Sequence, residues 1–123
     1  MAKRRKKRTE TDIQRECIDM FEAAGWLVLR ERQQHVQGRN FQGTVGASDI
    51  ICCMPPAGKW VAIEFKASKE KHDEWMRQDN PDVKSHARAI AQKEFGRKVR
   101  ACGGYFRCIY CVEQAYQLVK DLK

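Results

Sequence analysis

At 123 residues and a formal net charge of +8, the chain has room for one domain with a real but modest core. No apolar run approaches the ~20 residues that span a bilayer. The charges at the start have no apolar stretch behind them, unlike a secretory leader, so the expectation is a soluble, intracellular, cytoplasmic protein with no membrane partner.

Residues 1–8 read as a disordered basic arm, with six cations in Lys3-Arg4-Arg5-Lys6-Lys7-Arg8 and only a mild excess after them. Such a run serves a polyanion, a nuclear import signal or plain solvation; contact with a nucleic-acid backbone suits the rest of the chain best. A helix is predicted over 10–24. Thr9 or Thr11 can cap it, and Thr11-x-x-Gln14 has capping-box form. Ile13, Cys17, Met20, Phe21 and Ala24 make one apolar stripe at helical spacing, and Gly25 ends it. Glu10 projects near the centre of that stripe. An acid is placed so either for a function or because carboxylates favour the positive end of a helix dipole. Trp26 to Arg30 reads as a strand. Residues 33–47 are polar, contain Gly38, Gly43 and Gly46, and are expected to form a long connection.

Two β-prone runs follow, 48–54 and 60–66, joined by the turn signal Pro55-Pro56-Ala57-Gly58. Residues 67–85 are charged and broken by Asn80-Pro81, which predicts a loop or a short irregular helix. A second long helix is predicted over 86–101, with Ala87, Ala91, Phe95 and Val99 at four-residue spacing and Gly103-Gly104 ending it. Tyr105 to Cys111 reads as a strand. Residues 112–122 read as a helix with Ala115, Leu118, Val119 and Leu122 inward. The order is helix, three strands, helix, strand, helix: an α/β fold with a mixed four-stranded sheet. The first three strands meander antiparallel, and the fourth, reached by a helical crossover, runs parallel to the third. Cys108-Ile109-Tyr110-Cys111 is the sole CxxC and lies in a strand-like run, so reduced core cysteines suit the composition better than zinc ligands.

The hairpin carries the chemistry. If Cys53 faces Trp60, the same register sets Asp49 opposite Glu64, and alternation puts Glu64 and Lys66 on one face. Opposed carboxylates repel, and a divalent cation removes that cost; oxygen ligands suit Mg²⁺ or Mn²⁺. Lys66 beside two carboxylates should stay protonated, a better electrostatic stabiliser than general base. A solvated edge strand would also carry Glu64 and Lys66, but the apolar neighbours Val61-Ala62-Ile63 and Ile50 to Cys53 argue for burial. His35, His72 and His86 suit surface positions or DNA contacts better than metal ligation. Trp75 and Phe41, in polar stretches, either stack on bases or are covered by their own loops.

Four pieces stand in order: Thr9-Glu10-x-x-Ile13-Gln14, Gly46-Ala47-Ser48-Asp49-Ile50-Ile51, Ala62-Ile63-Glu64-Phe65-Lys66, and Gln92 followed by Ala101-Cys102-Gly103-Gly104. Together they resemble the PD-(D/E)XK nuclease superfamily and, within it, the VRR-NUC (virus-type replication-repair nuclease) family, over nearly all of residues 9–116. The resemblance implies a restriction-endonuclease-like domain over 9–123 that hydrolyses DNA phosphodiesters, and fits a viral or bacterial origin. It implies that Asp49, Glu64 and the backbone carbonyl of Phe65 hold Mg²⁺ or Mn²⁺. Lys66 would orient or polarise the attacking water, and Glu10 would complete the acidic cluster directly or through a metal-bound water. Gln92 would hydrogen-bond near the metal or the scissile phosphate. The charged 67–85 stretch departs from the pattern, being longer than expected before the next helix. Analogy with small stand-alone members implies a homodimer acting on branched DNA such as four-way (Holliday) junctions. A flap-type nuclease, a non-catalytic DNA-binding or assembly factor, and a zinc-stabilised binding module are the rivals.

Overall fold

A computed structural model describes residues 8–30, 34–36, 39–41 and 48–122; Lys3 to Lys7 of the basic arm lie outside them. The chain opens on helix α1, Glu10–Ala23. Its cap is Thr9, whose hydroxyl accepts from the Asp12 amide while the Asp12 carboxylate accepts from the Thr9 amide, both at 3.1 Å. The capping box is therefore Thr9/Asp12, and Thr11 with Gln14 lies inside the helix, because the reciprocal pair needs the first residue outside it. Ile13, Cys17, Ile18 and Phe21 are buried, with Met20 and Ala24 partly so. Trp26 stacks on Phe21 at 4.9 Å and leads into strand β1, Leu27–Arg30.

Within the stretch that reads as a long connection, the chain forms two short antiparallel strands, β2 (Gln34–Val36) and β3 (Arg39–Phe41). Their runs are three residues each and mostly polar, too brief for alternation to register as a strand signal. The expected hairpin follows as β4 (Ile50–Met54) and β5 (Lys59–Phe65), with Cys53 paired to Trp60 and Ile50 to Ile63. Ser68 then caps helix α2, Lys69–Arg77, its hydroxyl accepting from the Lys71 amide. A regular helix of nine residues thus stands where the charged stretch predicts a loop or a short irregular helix. A 3-10 turn at Lys84–His86 leads into α3 (Ala87–Ala101), then β6 (Tyr105–Ile109) and α4 (Val112–Asp121).

The main sheet has the order β1-β4-β5-β6, with β5 and β6 parallel and the other neighbours antiparallel. This is the expected topology. Alternation along β4 and β5 gives the sheet two apolar faces. Helices α1 and α4 cover one, over Ile50, Cys52, Val61, Ile63, Phe65 and Ile109. Helices α2 and α3 cover the other, where Ala62, Trp75, Ala89 and Phe106 form a smaller cluster. That second layer stops short of the β1 edge, so Leu27, Leu29 and Trp60 remain more than half exposed.

Helix α3 turns a different face inward than its alanine spacing suggests. Ala87 is exposed, while Ala89, Gln92 and Gly96 are buried and Phe95 and Val99 are half-buried. The reason is close approach: a Cβ on Gly96 would lie 2.5 Å from the Phe106 ring. The glycine lets α3 sit low enough on the sheet for Gln92 to reach β5. Gly96→Ala should therefore destabilise the fold by about 1–3 kcal/mol, the usual range for overpacking. Urea unfolding would measure this, with a smaller effect in a Phe106→Leu background; an unaltered midpoint in Gly96→Ala would contradict the packing.

Candidate active site

The site lies at the open end of the β4–β5 hairpin, beyond the last paired residues Ile50 and Ile63. Continuing that register sets Asp49 across from Glu64. Ser48 and Asp49 lead into β4, and the Asp49 Oδ2 accepts from the Phe65 amide at 2.8 Å. One carboxylate oxygen thus extends the ladder where β4 has not yet begun. In a strand the N–H and C=O of one residue point to the same edge, so the Phe65 carbonyl opens toward Asp49. The Lys66 amide points the other way and donates to the Ile109 carbonyl at 2.9 Å, which locks β5 to β6.

Glu64 is 2% exposed, deep under α3. Its Oε1 accepts from Gln92 Nε2 at 2.9 Å and lies 3.9 Å from Lys66 Nζ. Its Oε2 is buried with no hydrogen-bond partner among the described residues, and so is the hydroxyl of Ser48. Burial first, then the nearby Asp49 carboxylate, push the Glu64 pKa from 4.5 up to about 8, against the opposing charges of Lys66 and Arg88. Burial and the neighbouring acid thus favour a proton on Glu64 near neutrality. Hard oxygen donors, one of them orphaned and buried, are the donor set a hard divalent ion replaces that proton on.

The other expected residues fall around this pair. Glu10 stands at the start of α1 and is exposed as a whole residue. Its carboxyl nevertheless has a raised pKa, through partial burial and then Asp49, with Lys66 and Arg88 opposing. It thus senses the charge of Asp49. Among the described residues, no three His, Cys, Asp or Glu side chains gather closely enough to hold a metal by themselves, which leaves any such ion to the two acids, a carbonyl and water. Arg8, the last residue of the basic run, forms an exposed ion pair with Glu16 at 2.6 Å, so it lies against α1.

Several contributors had no clear sequence signal. Trp75, expected in a loop, is buried on α2, and its Nε1 donates to Gln92 Oε1 at 2.8 Å. Lys93 Nζ donates to the carbonyls of Trp75, Met76 and Gln78, closing the C-terminal end of α2. Arg88 stands one turn before Gln92 on α3, a four-residue spacing that would have placed it on the same face. Neither His72 nor His86 enters the site. His72 bonds Asp73 and lies 5.3 Å from the Tyr110 ring, and His86 Nδ1 accepts from the Asn80 amide. The side chains of His35 and Phe41 lie outside the described set. All six cysteines are free thiols. Burial pushes Cys17, Cys52 and Cys108 up to about 12, which works against the thiolate that zinc needs.

No family model matches the chain, and no curated protein does. Among solved structures it is similar to one described as a VRR_NUC domain, with a TM-score of 0.55 and 22% identity over 90% of this chain and 94% of that one. The chain has the fold of a VRR_NUC domain. That likeness spans almost the whole of both chains, and the mixed four-stranded sheet flanked by helices is the restriction-endonuclease-like core expected from the sequence. No described helix is long and apolar enough to cross a membrane.

The crowded pair has a thermodynamic consequence. Glu64 binds its proton more tightly folded than unfolded, so its contribution to stability is fully present below about 4.5 and is lost as pH rises to about 8. In chelator-treated protein, stability should fall across that window by up to about 1.4 kcal/mol per pH unit. Glu64→Gln should flatten the slope, as urea unfolding at stepped pH would show. An equal slope in the variant would mean that another group carries it.

Proposed function

We propose that the protein is a metal-dependent DNA endonuclease that hydrolyses phosphodiester bonds at Asp49, Glu64 and Lys66. The observation that carries this reading is a crowded carboxylate pair with one buried, orphaned oxygen and a lysine 3.9 Å away, set in a VRR_NUC fold. Asp49, Glu64 and the Phe65 carbonyl would hold Mg²⁺ or Mn²⁺, with Glu10 joining through water. A bound ion of this kind neutralises phosphate charge, lowers the pKa of water and braces the leaving oxygen.

The chain's own residues supply the rest. In the reaction, water adds to phosphorus, one P–O bond to deoxyribose breaks, and the departing oxygen takes a proton. Lys66 sets a positive charge beside the carboxylates, where it orients the water and offsets charge gathering on the phosphoryl oxygens. Arg88, whose charge acts on both Glu10 and Glu64, adds a second cation beside the acids. Gln92 holds Glu64 in place. A non-catalytic DNA-binding factor has less support, because the acids and the lysine converge; a binding surface gains nothing from a crowded carboxylate pair with one member buried.

Asp49→Ala, Glu64→Ala and Lys66→Ala should each reduce cleavage of labelled DNA by at least about a hundredfold without loss of fold. Glu10→Gln and Gln92→Ala should reduce it less. Cleavage at the wild-type rate by Asp49→Ala or Glu64→Ala would refute the site. EDTA should stop the reaction, and Mg²⁺ or Mn²⁺ should restore it.

The basic arm is proposed to hold the DNA backbone. Deleting residues 2–8 should weaken binding and lower the log–log salt slope by roughly 0.9 for every phosphate that the arm neutralises on duplex DNA, with little change in rate at saturation. An unchanged salt slope would make the arm a passive tail.

The preferred substrate is proposed to be branched DNA, four-way junctions above all, cut by a twofold dimer that presents one site to each of two strands. The open apolar surface at Leu27, Leu29 and Trp60 gives such a dimer something to bury. Light scattering at micromolar concentration should give twice the chain mass, and junction gels should show paired nicks. A monomer that prefers single flaps would overturn this part and leave the nuclease intact.

A further inference from the structure

The charged segment after β5 folds into α2, and α2 brings one aromatic residue to the acids. Trp75 is 4% exposed and lies among three groups of the site. Its Nε1 donates to Gln92 Oε1 at 2.8 Å, and Gln92 Nε2 donates in turn to Glu64 Oε1 at 2.9 Å. Lys66 Nζ stands 5.5 Å from the centre of the Trp75 ring, within cation–π range, and 3.9 Å from that same Glu64 Oε1. An indole N–H can only donate. It must therefore meet the oxygen of the Gln92 amide, and the amide's nitrogen is left to face Glu64. Without that indole the amide is less strongly held against its flip, which would turn an oxygen toward the carboxylate.

Resting on the nuclease reading, we propose that Trp75 is a positioning residue of the metal site: through Gln92 it ties down one oxygen of Glu64 and presents the other, Oε2, to the cation, while its ring seats Lys66. Each part of the arrangement has an observation behind it. Oε1 takes both the amide and the lysine, and Oε2 is buried and unpartnered. Lys93 Nζ lies 5.4 Å from the same ring and donates to the Trp75, Met76 and Gln78 carbonyls, so α2 is fastened to α3 at the turn that carries Gln92. The added helix is thus part of the site's support. Outer hydrogen bonds of this kind set ligand orientation, and removing one typically weakens metal binding about 10–100-fold.

The test uses Trp75→Phe, which keeps an aromatic ring in the cluster and removes the N–H, together with Gln92→Leu and the double variant. Mn²⁺ binding to the full chain, without DNA, is followed by electron paramagnetic resonance of the free ion. Trp75→Phe should weaken Mn²⁺ at least about tenfold. In the Gln92→Leu background the same change should do little more, because the path through the amide is already cut. A second readout needs no metal: the Gln92 side-chain amide signals in a ¹⁵N spectrum should be well separated in the wild type and collapse in Trp75→Phe. Wild-type affinity in Trp75→Phe, or a full additional weakening in the Gln92→Leu background, overturns the proposal while the nuclease reading stands. Wild-type protein that takes up no Mn²⁺ overturns both.

Discussion

Two carboxylates held against each other at the edge of a covering helix set the terms for everything around them. Asp49 and Glu64 meet because the register of the β4–β5 hairpin leaves no other arrangement, and Glu64 is too deep for water to separate their charges. Every nearby polar group can be understood as an answer to that crowding. The Phe65 amide takes one oxygen of Asp49; Gln92 and Lys66 take one oxygen of Glu64; Arg88 opposes both Glu64 and Glu10 from α3. The answers are incomplete, since one Glu64 oxygen has no hydrogen-bond partner among the described residues. Leaving a buried acceptor unsatisfied ordinarily costs about 1–3 kcal/mol, a penalty that folds tend to keep only where a ligand relieves it.

The second helical layer is shaped by the same need. A covering helix packed through alanine alone would sit on Ala62 and Phe106 and ignore Glu64. Here α3 approaches closely enough, through Gly96, to place an amide on the carboxylate. The first layer has no such duty, and its core is built mainly of Ile, Val, Phe, Leu, Met, Trp and Cys side chains. One face of the sheet therefore carries most of the burial and the other carries the acids.

The hairpin and its register were legible because a period of two, a Pro-Pro-x-Gly turn and isolated acids in apolar runs all point the same way. The parallel return of β6 followed from the helical crossover. The pairing of Asp49 with Glu64, and Lys66 beside them, came with that register. What stayed hidden has physical reasons. In α2 the one buried residue is Trp75, so no apolar stripe announces a helix. The buried face of α3 contains a glutamine and a glycine, which hydrophobic spacing does not count. The Trp75 to Gln92 bond joins residues 17 apart on separate helices, and no local pattern encodes it. The true capping box used Asp12 where glutamine or glutamate is the familiar partner.

The cysteines have a practical side. Burial holds Cys17, Cys52 and Cys108 near 12, so at neutral pH their sulfurs are almost wholly protonated and slow toward alkylating reagents. Cys53 and Cys111 are half-buried, whereas Cys102 is exposed where α3 gives way to Gly103. A maleimide dye would find that sulfur first. At 1.5 Å per helical residue it sits about 15 Å along α3 from Gln92, near enough for the dye to report on the surroundings of the acids and far enough not to block them. The chain thus comes with an attachment point for fluorescence already in place.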